Sequence, residues 1–411
     1  ARNAWQSLRL FSLVALVAAL MGVAAWAFLT CLDAVTGFRE AHLICFALLP
    51  AVGVFTAWLY RRYGKDAARG NNLVIDCTVS GRHIPPVMAP FTFVSSVATH
   101  LAGGSAGREG TAVQIGGTIA DAVSRLFKLD EYDHQDLLMA GISAAFGGVF
   151  GTPLAGAFFG MEMCFVGKLQ YRAGVYCLLA SFVGDAVTTA LGAPRESYDI
   201  GMVPQLVPSS HVLGGDSRRQ AILCRPYHEL LGSGAGWRFR GARDLCGLWL
   251  IRLRWTFFVA CGGRVHGDRD ARRRVAQARH DGAYAGGGLS GRRGHAHLRH
   301  RGLGAALGYS LGVTPAFGAA LGMVGVFGSA LNVPMTTILL GVDLFGGLAA
   351  PYFVIVSFVS YLVAGHRGVY PAQRIVTPKW RSLGEDQGFT VADAIEHHDA
   401  GVRDGEGEQG A

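Results

Sequence analysis

The chain has 411 residues, of which 51% are apolar and 16% charged, and 58 positions are glycine. Soluble domains carry about 25% charged residues, so this composition excludes a set of water-soluble globular domains. The net charge of +8 is not spread evenly, because residues 215–302 hold 18 arginines against 6 acids while the rest is mildly acidic. Together with a mean hydropathy of +0.31, these values indicate an integral membrane protein with a large buried interior.

Apolar stretches close to the length of a membrane span recur along the chain. They lie at about 9–31, 42–60, 84–103, 136–165, 171–192, 303–328, 335–350 and 351–365. Glycine or proline interrupts several of them, as in Gly151-Thr152-Pro153 and Asn332-Val333-Pro334. Lipid-exposed backbone cannot remain without hydrogen bonds, so broken helices at membrane depth indicate segments that line a polar pathway. The sequence therefore predicts an all-α polytopic membrane protein with broken helices.

The run 103–111, GGSAGREGT, lies where one apolar stretch ends and an amphipathic helix is predicted to begin. Small residues expose backbone N–H groups and a helix N-terminus adds partial positive charge, so this place favours an anion. Glu109 would occupy such a site as a tethered anion and leave it when protonated, which is how a gate would act. The alternative is an acid that only stabilises its own helix.

An internal repeat links two distant parts of the chain. Phe146-Gly147, Pro153, Gly160 and Glu162 match Phe327-Gly328, Pro334, Gly341 and Asp343, each displaced by 181 residues. Two inverted repeats that meet near the middle of the bilayer are a common architecture of secondary transporters. The alternative is a general likeness among glycine-rich membrane helices.

Taken together, the Gly107-Arg108-Glu109-Gly110 motif and the repeat resemble the CLC family of chloride channels and anion/proton exchangers. The resemblance covers about 1–212 and 303–375. It implies an inverted-repeat CLC-type architecture, a homodimer with one pathway per subunit, and Glu109 as gate and proton carrier. It also implies that Gly107, Arg108 and Gly110 belong to the anion site.

Three further positions narrow the resemblance to the bacterial fluoride/proton exchanger branch. Asn71-Asn72 stands where most of the family has a serine motif, and Thr111 stands where proline is usual. Fluoride is small and strongly hydrated, so N–H donors are suited to replace its water. A turn or helix cap is the other use of paired asparagines.

Two more residues follow from the resemblance. Tyr370 matches a tyrosine at the inner end of the pathway, although a tyrosine after a span is also typical of the membrane interface. Glu162 aligns with the first member of an acidic pair and becomes a possible accessory acid, whereas the second position is Met163. Glu162 could instead pair with the arginine-bearing inner surface.

In the CLC family, a helix start in the second repeat completes the anion site. The block 213–302 does not contain a motif for such a helix start. Its arginines occur without lysine, as in GC-rich DNA read out of frame. Shifted by one nucleotide, with synonymous third bases chosen freely, the codons of 288–302 can encode Gly-x-Val-Thr-Pro and an apolar run. We therefore expect an out-of-frame segment; the alternative is an arginine-rich insert that binds nucleic acid.

The predicted organisation is a membrane domain at 1–212, the arginine-rich block at 213–302, the end of the second repeat at 303–375 and a polar tail at 376–411. The predicted function is fluoride export coupled to protons across the cell membrane, with no enzymatic activity, cofactor, metal or nucleic-acid partner. A chloride channel or chloride/proton exchanger is the alternative.

Overall fold

The computed structural model describes residues 4–104, 106–194, 198, 200, 203–204 and 314–397. The block 213–302, where an out-of-frame segment is expected, lies outside these residues. The described chain falls into two compact units. The first holds the residues up to 198 and from 324 onward, and it contains every site residue predicted above. In the second, the Thr314 hydroxyl donates to the Ile200 carbonyl and the Phe317 side chain is buried.

Helices make up most of the described chain, as the sequence predicts. They are α1 Ala4–Ala41, α2 Leu49–Leu59, α3 Asn71–Ser80, α4 Met88–Leu101, α5 Arg108–Phe127, α6 Glu131–Phe150, α7 Pro153–Glu162, α8 Gly174–Ala190, α9 Pro315–Leu331, α10 Pro334–Phe345 and α11 Ala350–Val363. Short 3₁₀ or π turns lie at Leu43–Leu48, Tyr60–Gly64, Lys65–Arg69, Tyr171–Ala173, Gly347–Ala349 and Arg381–Asp386. Two-residue strands, β1 Phe165–Val166 and β2 Arg374–Ile375, pair in parallel.

Three helical stretches in the described chain are long and apolar enough to cross a bilayer, namely Trp5–Ala41, Ile44–Gly64 and Tyr171–Ala190. Shorter apolar helices lie at Ala316–Leu331, Pro334–Phe345 and Gly347–Val363. The mixture of full spans and short helices agrees with the predicted broken-helix membrane fold.

Helix α6 lies in the middle of the first unit, with most of its side chains buried among α1, α5, α7 and α8. Its contact with α5 depends on two glycines that face each other. A Cβ atom on Gly141 would lie 2.6 Å from the Gly116 carbonyl oxygen, and one on Gly116 would collide with the Gly141 carbonyl. The two backbones approach so closely that no larger residue fits at either position.

The two predicted helix breaks have the same local geometry. Gly151 precedes α7 with φ of +69°, and Asn332 precedes α10 with φ of +60°. In both cases a proline, Pro153 or Pro334, occupies the first turn of the new helix. Proline fits there because the first helical N–H has no partner within the helix.

Each repeat also caps the broken helix of the other. The Glu162 carboxylate, at the end of α7, accepts hydrogen bonds from the backbone N–H groups of Met335 (3.2 Å) and Thr336 (2.9 Å) at the start of α10. The Thr336 hydroxyl donates to the same carboxylate at 2.8 Å. Reciprocally, the Ala155 N–H at the start of α7 donates to Asp343 of α10 at 3.2 Å. These contacts are related by the 181-residue offset, which makes the repeat a structural one.

Glu162→Ala should therefore destabilise the fold. The residues that precede α7 and α10 make no side-chain cap of their own. The buried Glu162 carboxylate, at the end of α7, therefore supplies the cap of α10. Loss of a helix cap costs about 0.5–2 kcal/mol, and buried N–H groups left unpaired place this change at the upper end of that range. Thermal unfolding in detergent should show a lowered melting temperature, whereas Glu396→Ala, at an exposed position, should leave it unchanged.

The predicted tail is packed against the membrane domain over the part that the structure describes. Strand β2 pairs with β1, and Val391 and Ala394 are buried with Val166 and Tyr361. The Lys379 ammonium donates to the Tyr361 carbonyl at 2.9 Å. The chain after Tyr370 is thus held against the membrane domain.

Candidate functional site

Helix α5 begins at Arg108, within the run 103–111 where the sequence predicts a helix to begin. Gly107 precedes the helix in an extended conformation and makes no side-chain cap, and a Cβ atom there would meet nothing within 4 Å. Arg108 and the half-buried Glu109 lie in the first turn and interact electrostatically. Glycine has no side chain, so Gly107 gives no cap to the backbone N–H groups in the first turn of α5.

Helix α3 begins at Asn71, close to the start of α5. Gly70, just before it, has φ of +58° and ψ of −135°, a conformation that residues other than glycine rarely adopt. Across the gap between the helices, a Cβ atom on Gly110 would lie 3.2 Å from the Asn71 amide nitrogen. Two helix N-termini, with their partial positive charges, thus meet at Asn71 and Gly110.

Tyr370 completes this group from the other end of the chain. It is buried, and its hydroxyl accepts a hydrogen bond from the Asn71 amide nitrogen at 3.2 Å. It also interacts electrostatically with the Glu109 carboxylate. The Asn72 amide oxygen accepts from the Ala372 backbone N–H at 3.3 Å, so α3 holds the turn that carries Tyr370.

A chain of hydrogen bonds runs from Tyr60 through Thr92 and Gln114 to the Asn71 amide. The Thr92 hydroxyl donates to the Gln114 amide oxygen at 2.6 Å, so the Tyr60 hydroxyl, 3.2 Å away, acts as donor to Thr92. The Gln114 amide nitrogen then donates to the Asn71 amide oxygen at 3.0 Å. The Asn71 NH₂ group is left to face Tyr370 and Gly110, as an anion donor should.

Gln114 and Thr92 were not among the predicted site residues. Gln114 lies four positions after Gly110 on α5 and hence on the same face of that helix. That spacing was the available signal, and it is weak, because a glutamine on an amphipathic helix usually lies at the surface.

The structure brings Asn71, Gly110, Glu109 and Tyr370 together, with Asn72 beside them, and leaves Glu162 elsewhere. Glu162 lies at the junction of α7 and α10, where its oxygens are occupied by backbone N–H groups. Its contacts make it a cap between the repeats rather than a partner of an arginine surface. The role of accessory acid stays a prediction.

Comparisons with known proteins show which family the chain resembles. The family model described as voltage gated chloride channel matches residues 52–214. The "Chloride/fluoride channel protein" of Pseudomonas syringae pv. tomato is 34% identical over 89% of this chain and 86% of its own length. The H(+)/Cl(-) exchange transporter ClcA of Citrobacter koseri is 33% identical over 34% of this chain and 28% of its own length.

Two solved structures share the fold. The crystal structure of a CLC-type fluoride/proton antiporter superposes with a TM-score of 0.67 at 27% identity, covering 91% of this chain and 100% of that one. The structure of a slow cyanobacterial Cl−/H+ antiporter gives a TM-score of 0.58 at 17% identity, covering 87% and 94%, and shows a likeness of fold alone.

Proposed function

This chain belongs to the CLC family and is an anion transporter, and we propose that it exports fluoride across the cell membrane in exchange for protons. The observation that carries the proposal is the oriented Asn71 amide, whose NH₂ group faces the start of α5. We further propose that it works as a homodimer with one pathway in each subunit.

Fluoride binding is assigned to donors at the junction of α3 and α5. Fluoride holds its water strongly, so a binding site must offer several N–H donors at once. The Asn71 amide and the backbone N–H groups of the first turn of α5 are donors of this kind, and both helix dipoles favour a negative charge. The Tyr370 hydroxyl accepts a hydrogen bond from the same Asn71 NH₂ group and bounds the site.

Glu109 is assigned the roles of gate and proton carrier. Its carboxylate is attached to the same helix turn that would bind the anion, so the two negative charges compete for one set of donors. Protonation removes the negative charge of Glu109 and lets the anion in. Glu109 then alternates between carrying a proton and occupying the anion site. This alternation couples proton movement to anion movement in the opposite direction.

Met163 supports the fluoride branch over an ordinary chloride/proton exchanger. It follows Glu162 directly and is fully buried, so this place offers no carboxylate to relay protons. Proton movement is therefore assigned to Glu109, with Glu162 kept as the accessory acid that the sequence predicts.

The test of selectivity is anion efflux from proteoliposomes loaded with equal concentrations of fluoride and chloride. The proposal predicts fluoride efflux well above chloride efflux. Chloride efflux as fast as fluoride efflux would favour a chloride channel or exchanger instead. The name of the Pseudomonas relative, which includes both ions, makes this comparison necessary.

Residues 213–302 are proposed to be an out-of-frame reading of the second repeat. They contain arginine without lysine, and their codons, shifted by one nucleotide with third bases chosen freely, can encode Gly-x-Val-Thr-Pro. Sequencing the gene across codons 205–310 should reveal one frame-shifting change after codon 212 and a compensating one near codon 303. An intact reading frame would instead support an insert, and salt-dependent DNA binding by this segment would then follow. Transport assays accordingly use the frame-restored protein.

Gln114→Leu should slow fluoride transport without unfolding the protein. Leucine cannot donate to the Asn71 amide oxygen, so the amide loses the contact that keeps its NH₂ group toward the anion. A single neutral hydrogen bond contributes about 0.5–1.5 kcal/mol, so we expect a fall of roughly 2- to 12-fold in apparent fluoride affinity. Flux should be measured as a function of fluoride concentration, since a change in orientation weakens binding.

Gln135→Leu is the matched control. The Gln135 amide donates to the carbonyl of Val79 on α3 at 3.3 Å, so its contact with that helix does not involve Asn71. Its fluoride affinity should equal that of the unchanged protein. If both variants behave alike, Gln114 has no special part in orienting Asn71.

A further inference from the structure

Two histidines and an aspartate from three separate segments meet at the far end of α5. His83 lies in the loop after α3, Asp121 in the second half of α5 and His134 in the first turn of α6. One ligand atom from each lies within 4.8 Å of the other two. Within the described ranges this is the only such group of three histidine, cysteine or acidic residues.

The Asp121 carboxylate is oriented so that one oxygen faces the histidines. Its Oδ1 lies 2.8 Å from His83 Nδ1 and 3.7 Å from His134 Nε2. Its Oδ2 points to the Arg125 guanidinium at 2.8 Å. The side chain of Asp121 is completely buried, so Arg125 holds it in one orientation while Oδ1 stays directed at the imidazoles.

His134 is held in the same way, by a residue that is not one of the three proposed ligands. Its Nδ1 lies 2.8 Å from the Ser124 hydroxyl, and this contact turns Nε2 toward Asp121. Nε2 donates to the Arg82 carbonyl oxygen at 3.3 Å, and a metal bound at Nε2 would replace this hydrogen bond. Metal-bound histidines are characteristically fixed through the second ring nitrogen, as here.

We propose that His83, Asp121 and His134 bind a divalent transition-metal ion of the Zn²⁺ type. Two imidazoles and one carboxylate are a donor set that zinc uses, with a water molecule in the fourth position. Tetrahedral ligands about 2.0–2.1 Å from the metal lie roughly 3.3 Å apart, so the ligand atoms would shift by about an ångström or less. The His83 side chain is 56% exposed, which provides the route of entry and the open position for water.

The site is separate from the proposed anion site. Asp121 and Glu109 are twelve residues apart on α5, which corresponds to about 18 Å along the helix axis. The metal would connect the α3–α4 loop, the second half of α5 and the start of α6. Its expected effect is to stabilise the protein, because a ligand that binds only the folded state raises the free energy of unfolding.

The sequence did not indicate this site, because its cysteines form no CxxC pair and show no zinc-type spacing. The three ligands are separated by 38 and 13 residues, and only the packing of α5 against α6 and the preceding loop brings them together. An expectation of no metal therefore followed from spacing alone.

The test is a titration of the purified full-length chain in detergent with Co²⁺, followed by displacement with Zn²⁺. A tetrahedral site of nitrogen and oxygen donors gives Co²⁺ a much stronger visible absorption than octahedral hydrated Co²⁺ has. We expect this absorption at one equivalent, its loss on adding Zn²⁺, and a higher melting temperature with Zn²⁺ present.

Two variants identify the ligands. His83→Ala removes an exposed ligand and should weaken Co²⁺ binding at least as much as the roughly 10- to 100-fold loss that follows removal of an outer partner. Ser124→Ala, which leaves all three ligands in place, should weaken binding within that range. His42→Ala changes an exposed histidine outside the cluster and should bind Co²⁺ as the unchanged chain does. Equal binding by His83→Ala, or no tetrahedral absorption in the unchanged chain, would overturn the proposal.

Discussion

Glu109→Gln should abolish proton movement driven by a fluoride gradient, reducing it to the level of protein-free liposomes. Glutamine has the shape of protonated glutamate and cannot accept or release a proton in the working pH range. Because Glu109 lies in the first turn of α5 beside the Asn71 amide and Tyr370, its charge competes with the anion, and its loss removes the coupled step. The measurement is internal pH during fluoride efflux from proteoliposomes that contain the frame-restored protein.

Glu131→Gln provides the matched control. Glu131 also lies in the first turn of a 20-residue helix, α6, but its side chain is exposed. The chemical change is the same and both residues lie in the first turn of their helix, so an effect of helix stability would appear in both variants. Unreduced proton movement in Glu109→Gln would contradict the assignment of Glu109 as proton carrier.

Asn71→Leu should give the second large effect, a loss of fluoride affinity. Leucine has a similar size but no N–H donor, and the change also leaves Tyr370 and Gln114 without their partner. Hydrogen bonds to charged groups contribute about 1.5–3 kcal/mol, which corresponds to a fall of roughly 10- to 150-fold. The dependence of flux on fluoride concentration measures it.

Asn72→Leu serves as the comparison because it makes the same change at the next position. The Asn72 amide oxygen holds the Ala372 N–H, so its loss should affect the Tyr370 turn more than the anion. We expect a smaller loss of affinity than for Asn71→Leu. Equal affinity in Asn71→Leu and the unchanged protein would remove Asn71 from the anion site.

The local parts of this account could be predicted from the sequence. Glycines followed by Arg108-Glu109 marked the start of α5, and Pro153 and Pro334 marked two helix breaks, because these residue types restrict the backbone wherever they occur. The 181-residue repeat also paired Glu162 with Asp343 correctly. These signals depend on short segments, which is why they can be read without a structure.

The long-range contacts could not be predicted from residue types alone. The resemblance to a family placed Asn71 and Tyr370 in one site, although 299 residues separate them. It did not indicate Gln114, whose orienting role depends on where the Thr92 hydroxyl lies on α4. Nor did it show that Glu162 caps α10, since that role depends on the distance between two helix ends.

The most direct test of the central claim is a fluoride gradient imposed across proteoliposomes at equal pH on both sides, with internal pH and external fluoride recorded together. Fluoride/proton exchange predicts that protons enter as fluoride leaves, so that a pH difference develops with no initial proton gradient. It also predicts that an equal chloride gradient moves far fewer protons. Fluoride efflux without any pH change, or proton movement as large with chloride, would contradict the account.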